Sequence, residues 1–172
     1  MIETKRLVIR DIMMEDKLSY IEMAEEGSLN DCGFDTECRS WITEWIIYAQ
    51  KVSLRNDPTK DWLAYSIVLK EENRVIGCIG CSYYDDLDKV GITYFIGAEY
   101  RGKGYAAEAV DFYLRYFFSN YHVNEIIATI REENVASWRT IEKADFELVE
   151  KKMYQDINDE KPELYRFYTM VK

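Results

Sequence analysis

The hydrophobic pattern changes period between residues 89 and 119, and a pair of glycines marks the change. Residues 89–96 read as a strand, whereas residues 102–119 space Ala106, Ala109, Val110, Tyr113, Leu114 and Phe117 along one face of a helix. The turn joining them is Arg101-Gly102-Lys103-Gly104-Tyr105-Ala106. Glycine adopts positive φ freely, and the first N–H groups of a helix lack intrahelical partners. A strand, a glycine turn and a helix in succession can therefore bring backbone donors close to a phosphate. Arg101 and Lys103 add positive charge. A tight turn that holds nothing has the same local pattern, so the flanking elements must decide.

Upstream, residues 4–10 alternate as a half-buried strand. Residues 14–26, with Met14, Leu18 and Ile21 on one face, predict a helix that stops at Gly27. Thr36 is placed to cap a second helix carrying Trp41, Trp45, Ile46 and Tyr48 along its apolar side to Val52. After Asn56-Asp57-Pro58, strand-like runs at 62–69, 75–84 and 89–96 follow one another through short polar connections, which predicts an antiparallel meander. Downstream, residues 125–130 form a short strand separated from 89–96 by the long helix, a strand-helix-strand crossover. Residues 134–143 read as a short helix, and 146–153 and 164–171 as strands. The expected fold is one α+β domain over residues 1–172, with a mixed, mostly antiparallel sheet of about seven strands and about four helices.

Charge and cysteine usage exclude some function classes. A net charge of −10 argues against broad nucleic-acid binding, which depends on basic side chains meeting phosphates, and is compatible with a cationic substrate. No apolar run approaches the roughly 20 residues that cross a bilayer. Cys32, Cys38, Cys78 and Cys81 do not suggest the disulfide framework of a small secreted domain. A cytoplasmic protein with reduced thiols, no membrane span and a monomeric or homodimeric state is expected.

Two familiar phosphate motifs nearly match the turn and fail on chemistry. Residues 97–104 follow a Walker A loop until the position of the magnesium-binding Ser or Thr, which is Gly104. The dinucleotide fingerprint opens a parallel strand series, whereas antiparallel strands precede the turn here.

Arg101-Gly102-Lys103-Gly104-Tyr105-Ala106 resembles the Gln/Arg-x-x-Gly-x-Gly/Ala signature of the GNAT superfamily of N-acetyltransferases. Residues 134–146, Asn134 through Ser137, Arg139, Glu142 and Lys143 to Phe146, resemble that family's Asn-x-x-Ser-x-Arg-x-x-Glu-Lys-x-Gly-Phe. Residues 4–10 are similar to the opening of the subgroup containing ribosomal-protein alanine and serine N-terminal acetyltransferases. One position departs: Asp145 stands where glycine is usual, and Asp tolerates left-handed φ better than most residues.

The resemblance implies a GNAT-like fold with acetyl-coenzyme A (acetyl-CoA) as co-substrate. It implies that the pyrophosphate sits on Arg101, Gly102, Lys103, Gly104, Tyr105 and Ala106. The pantetheine arm would run along the backbone at Phe95 and Ile96, in a splay between strands 89–96 and 125–130. Asn134 would orient the pantetheine, Lys143 would join the cofactor-binding set, and Ser137 would protonate the departing thiolate. The implied reaction moves acetyl to a primary amine, on a protein N-terminus or a small molecule; the alternative is a non-catalytic acyl-CoA-binding module of the same fold.

The residues themselves leave other roles open. Asn134 also fits a helix N-cap, and Ser137 a first-turn hydroxyl that satisfies backbone. Glu37, Asp85, Tyr94 and Glu99 are candidate bases, with none ranked first. In the GNAT family the first two helices and their connection border the acceptor site, which brings residues 31–37 into view, while Trp41, Trp45 and Tyr48 read as helix core. His122 reads as a surface or helix-end residue. Cys78 and Cys81 have metal-like spacing, but positions three apart on a strand face opposite sides, so no metal is expected.

Overall fold

The computed structural model describes every residue except Asn158, and every other side chain except that of Asp31. The chain lays down strands in order from one edge: β1 (Ile2–Glu3), β2 (Leu7–Asp11), β3 (Leu63–Leu69), β4 (Arg74–Tyr84) and β5 (Lys89–Ile96), each antiparallel to the one before. β6 (Glu125–Arg131) then lies parallel to β5. The last two strands exchange places: β8 (Glu163–Val171) pairs with β6, and β7 (Glu147–Tyr154) lies outside it. This is the expected α+β class with a mixed, mostly antiparallel sheet. The eighth strand is β1, whose two residues are too few to produce a readable alternation.

Four helices cover the two faces. α1 (Lys17–Glu25) and α2 (Cys38–Arg55) pack over a core that includes Tyr20, Ile21, Ile42, Ile46, Val68 and Cys78. α3 (Tyr105–Asn120) and α4 (Val135–Lys143) lie over a second core with Ile67, Ile79, Cys81, Val110, Tyr113, Phe117 and Ile141. Successive strand residues point to opposite faces, which is why Ile67 and Val68, and Cys78 and Cys81, fall in different cores. Among the described residues, no helix is long and apolar enough to cross a membrane.

Two local readings are corrected. The inward face of α1 is Tyr20, Ile21, Met23 and Ala24, not Met14 and Leu18; Leu18 is 65% exposed. The cause is Asp16, which is buried just before the helix and takes two hydrogen bonds from Arg10 and one each from Ser66 and the Met13 N–H, setting the rotation of the helix that follows. Thr36 does not cap α2. The helix starts a residue later at Cys38, and Asp35 Oδ1 accepts from the Glu37 N–H at 2.8 Å instead.

Candidate active site

β5 and β6 are neighbours in the sheet, yet they pair at one position only, Gly91 with Ile127. Each keeps a full ladder on its other side, β5 to β4 through Ile96 and β6 to β8 through Arg131. Beyond Gly91 the strands therefore diverge, and one backbone edge of residues 93–96 has no strand partner. Backbone polar groups need partners, so this gap suits an extended ligand that carries amides. Phe95 lies half-buried on one face of the splay, its ring 4.9 Å from that of Phe34, and Ile96 is buried on the other.

The glycine turn lies just beyond the end of β5. Gly102 (φ 75°) and Gly104 (φ 81°) both adopt the left-handed conformation. Gly104 is the N-cap of α3 and brings no side-chain capping hydrogen bond, and the first helical hydrogen bond is Glu108 N–H to Gly104 O at 3.2 Å. The N–H groups of Tyr105, Ala106 and Ala107 thus precede the hydrogen-bonded ladder and face outward with the positive end of the helix dipole. A Cβ on Gly102 would meet nothing within 4 Å, so the space in front of the turn is open to a ligand.

At the open end of β6, the chain turns into α4. Asn134 Oδ1 accepts the Ser137 N–H at 3.2 Å, the N-cap arrangement, and Ser137 sits half-buried in the first turn. Its hydroxyl oxygen lies 3.0 Å from that of Tyr94 on β5. Ala107 and Asp111 of α3, with Thr140, Lys143, Ala144 and Asp145 around the end of α4, line a cavity of about 110 Å³ between the two helices. Asp145 takes φ 63° and so does the glycine's work of ending α4.

A splayed parallel pair, an open left-handed glycine turn and a serine at the start of the next helix form one arrangement, and comparison with known proteins gives it a name. The family model described as acetyltransferase (GNAT) domain matches residues 6–147. The chain belongs to the GNAT acetyltransferase family. It is 30% identical over 160 residues to the uncharacterized N-acetyltransferase p20 of Bacillus licheniformis, covering 84% of this chain and 80% of that one. Its fold matches that of a GNAT-family acetyltransferase from Bacillus anthracis with a TM-score of 0.80 at 20% identity, over 99% and 97% of the two chains. It also matches Mycobacterium smegmatis RimJ, solved in complex with CoA-disulfide, with a TM-score of 0.77 at 19% identity, over 96% and 81%. This GNAT enzyme is accordingly an N-acetyltransferase.

Within this acetyltransferase the cations around the turn are not arranged as the sequence suggests. Arg101 turns its guanidinium to the carbonyls of Ile96 and Ser28, at 2.8 and 2.9 Å, where it ties the end of β5 to the loop after α1. Lys103 is exposed, with Nζ 5.4 Å from the centre of the Tyr100 ring. The cation built into the turn is Arg6. It donates to the Lys103 carbonyl at 2.9 Å, pairs with Glu108 at 2.6 Å and lies 4.5 Å over the Tyr105 ring. Glu108 also accepts from the Thr4 hydroxyl and the Arg6 N–H. Burial opposes ionisation of Glu108, but these hydrogen bonds from Thr4 and Arg6 outweigh it and hold the carboxyl below its ordinary range. Sequence reasoning missed this clamp; its signal was an Arg on the polar side of the 4–10 alternation, just before β2, and a Glu in the first turn of α3.

The candidate bases do not converge. Glu37, Asp85 and Glu99 are exposed on separate segments: before α2, in the β4–β5 turn, and after β5. Burial pushes the Tyr94 hydroxyl up to about 12, which favours its protonated, donating form at neutral pH. Of residues 31–37, the Asp31 side chain lies outside the described residues, and Phe34 joins Trp41, Trp45 and Phe95 in one aromatic cluster. Trp41 and Trp45 are half-buried, while Tyr48 is 44% exposed against Trp62, so the aromatic stripe flanks the core of α2 instead of filling it.

Proposed function

We propose that the chain transfers acetyl from acetyl-CoA to a primary amine by direct attack of the amine on the thioester, and that the acceptor is a protein N-terminus or a weakly basic small-molecule amine. The observation that carries this reading is the divergence of β5 and β6 beyond Gly91, with the open glycine turn outside β5 and Ser137 at the mouth of β6. Residues fitted to hold the co-substrate are the backbone of Phe95 and Ile96, the turn from Arg101 to Ala106, Asn134 and Lys143. When bound, acetyl-CoA supplies an acetyl thioester whose sulfur departs as a thiolate.

The chain's own residues then have three tasks. Backbone N–H groups at the start of α3 neutralise the pyrophosphate, with Arg6 holding the turn in shape. Asn134 caps α4 through Oδ1 and so fixes where Ser137 points. Ser137 donates its hydroxyl hydrogen to the leaving sulfur. The separation of Glu37, Asp85 and Glu99 fits an acceptor that is partly neutral already: an α-amino group, with a pKa of about 8, deprotonates far more easily than a lysine at about 10.4.

The reading is tested by thiol release from acetyl-CoA across a panel of amines: peptides with free Ala or Ser N-termini, polyamines and amino acids. Ser137→Ala should lower kcat on the best acceptor by roughly 10–10³-fold, with acetyl-CoA affinity retained. A raised KM for acetyl-CoA with kcat intact would make Ser137 a capping or binding residue and remove it as the acid.

A further inference from the structure

The hydroxyls of Tyr94 and Ser137 meet in a way that capping and packing do not require. Tyr94 Oη lies 3.0 Å from two acceptors on the same residue, the carbonyl oxygen of Ser137 and its Oγ. A carbonyl only accepts, whereas a hydroxyl both donates and accepts. Two hydrogen-bond arrangements therefore exist with every heavy atom in place. When Tyr94 donates to the carbonyl, Ser137 donates to Tyr94. When Tyr94 donates to Oγ, the Ser137 hydrogen is free to turn elsewhere.

We propose that Tyr94 is a positioning residue for the acid: as the leaving sulfur gathers charge, Tyr94 swings its hydrogen from the Ser137 carbonyl to Oγ, which both frees the Ser137 hydrogen and strengthens its donation to the sulfur. The inference rests on the reading of Ser137 as the acid. As the C–S bond breaks, its electron pair stays on sulfur, Ser137 donates to that sulfur and Tyr94 donates to Ser137. The Ser137 proton passes to the sulfur, the Tyr94 proton replaces it on Oγ, and the proton that the acetylated amine releases to solvent is returned by solvent to Tyr94, so that coenzyme A leaves as the thiol and neither hydroxyl is ionised at the end.

The setting suits the role. Tyr94 is on β5, at the edge of the splay, and Ser137 is in the first turn of α4, so the contact spans the two sides of the site. The Asn134 carbonyl, an acceptor that a first-turn serine could otherwise use, already takes the N–H groups of Ser137 and Trp138 at 3.1 and 3.2 Å. Burial, against hydrogen bonding from Ser137 and Thr140 of α4, keeps Tyr94 protonated through the physiological range. Asp111 of α3, with Lys143 and Asp145 at the end of α4, lines the neighbouring cavity, while burial, Ser137 and Thr140 set the balance at Tyr94.

The test needs no acceptor. The affinities of coenzyme A and of desulfo-coenzyme A, which lacks the thiol, are measured by calorimetry from pH 7 to 10. Their ratio isolates how the protein stabilises the thiolate over the thiol, whose free pKa is about 8.5. In the wild-type protein the ratio should rise roughly tenfold with pH, in Tyr94→Phe by no more than about threefold, and in Ser137→Ala it should stay flat. Desulfo-coenzyme A should bind the wild type and Tyr94→Phe alike, because the Phe ring keeps the packing. A full rise in Tyr94→Phe with a flat ratio in Ser137→Ala overturns this inference alone. A full rise in Ser137→Ala, or none in the wild type, removes the acid reading and this inference with it. Equal weakening of both ligands in Tyr94→Phe, with the full rise kept, makes Tyr94 a structural residue and also overturns it.

Discussion

The two faces of the sheet solve opposite problems. Under α1 and α2 the polar groups are closed off: Asp16 is 3% exposed and its carboxylate is filled by Arg10, Ser66 and the Met13 N–H, while Tyr20 closes over Ser66 at 2.9 Å. Under α3 and α4 the helix start is left open behind two left-handed glycines, and the sheet itself parts beside it. One face spends its hydrogen-bonding capacity on itself and the other keeps donors for a ligand. The lesson is a division of labour, in which damage to the first face should appear as lost stability and damage to the second as lost affinity.

The largest effect is expected on the closed face. Asp16→Ala removes the carboxylate that Arg10, Ser66 and the Met13 N–H share and should cost about 3–5 kcal/mol of unfolding free energy, read from denaturant curves, while the folded fraction binds acetyl-CoA as before. Burial works against ionisation of Asp16, but hydrogen bonds from Arg10, Met13 and Ser66 overcome it, so its folded pKa lies below the ordinary value of about 3.9. That stabilisation is complete above the unfolded pKa and is lost as pH falls through the lowered folded value; the variant should therefore lose part of the acid limb of its stability curve. A large drop in acetyl-CoA affinity in folded Asp16→Ala would break the proposed division.

A smaller effect is expected where the two functions meet. Glu108 holds Arg6 and Thr4 against the glycine turn and is part of α3 itself. Glu108→Gln preserves shape but weakens charged hydrogen bonds, and should lower stability by about 1–2 kcal/mol and acetyl-CoA affinity by roughly threefold to tenfold. Stability lost without any change in affinity would show that the clamp serves the fold alone.

The open face was the more legible of the two. Gly102 and Gly104, the change of period and the Asn134–Ser137 spacing are local signals, and local signals survive in sequence order. The buried face of α3 was read correctly at Ala109, Val110, Tyr113, Leu114 and Phe117, because a solvent-facing helix declares its core side by spacing. What escaped depended on long-range contact. Arg6 and Glu108 are 102 positions apart, Tyr94 and Ser137 are 43, and the exchange of β7 and β8 is a matter of pairing that no single strand records. Met14 and Leu18 misled because a buried ion pair, not apolar spacing, sets the rotation of α1.

The central claim is that acetyl-CoA is held by the left-handed glycine turn at the start of α3, and Gly104 tests it most directly. A Cβ there would lie 3.5 Å from Arg6 Nη2, an ordinary contact, so Gly104→Val acts first through its φ of 81° and the ligand-facing backbone. Calorimetry with acetyl-CoA should show affinity at least about tenfold weaker in the variant, a loss of about 1.4 kcal/mol or more, with cooperative unfolding retained. Wild-type affinity in a folded Gly104→Val protein would contradict the account and move the pyrophosphate elsewhere on the chain.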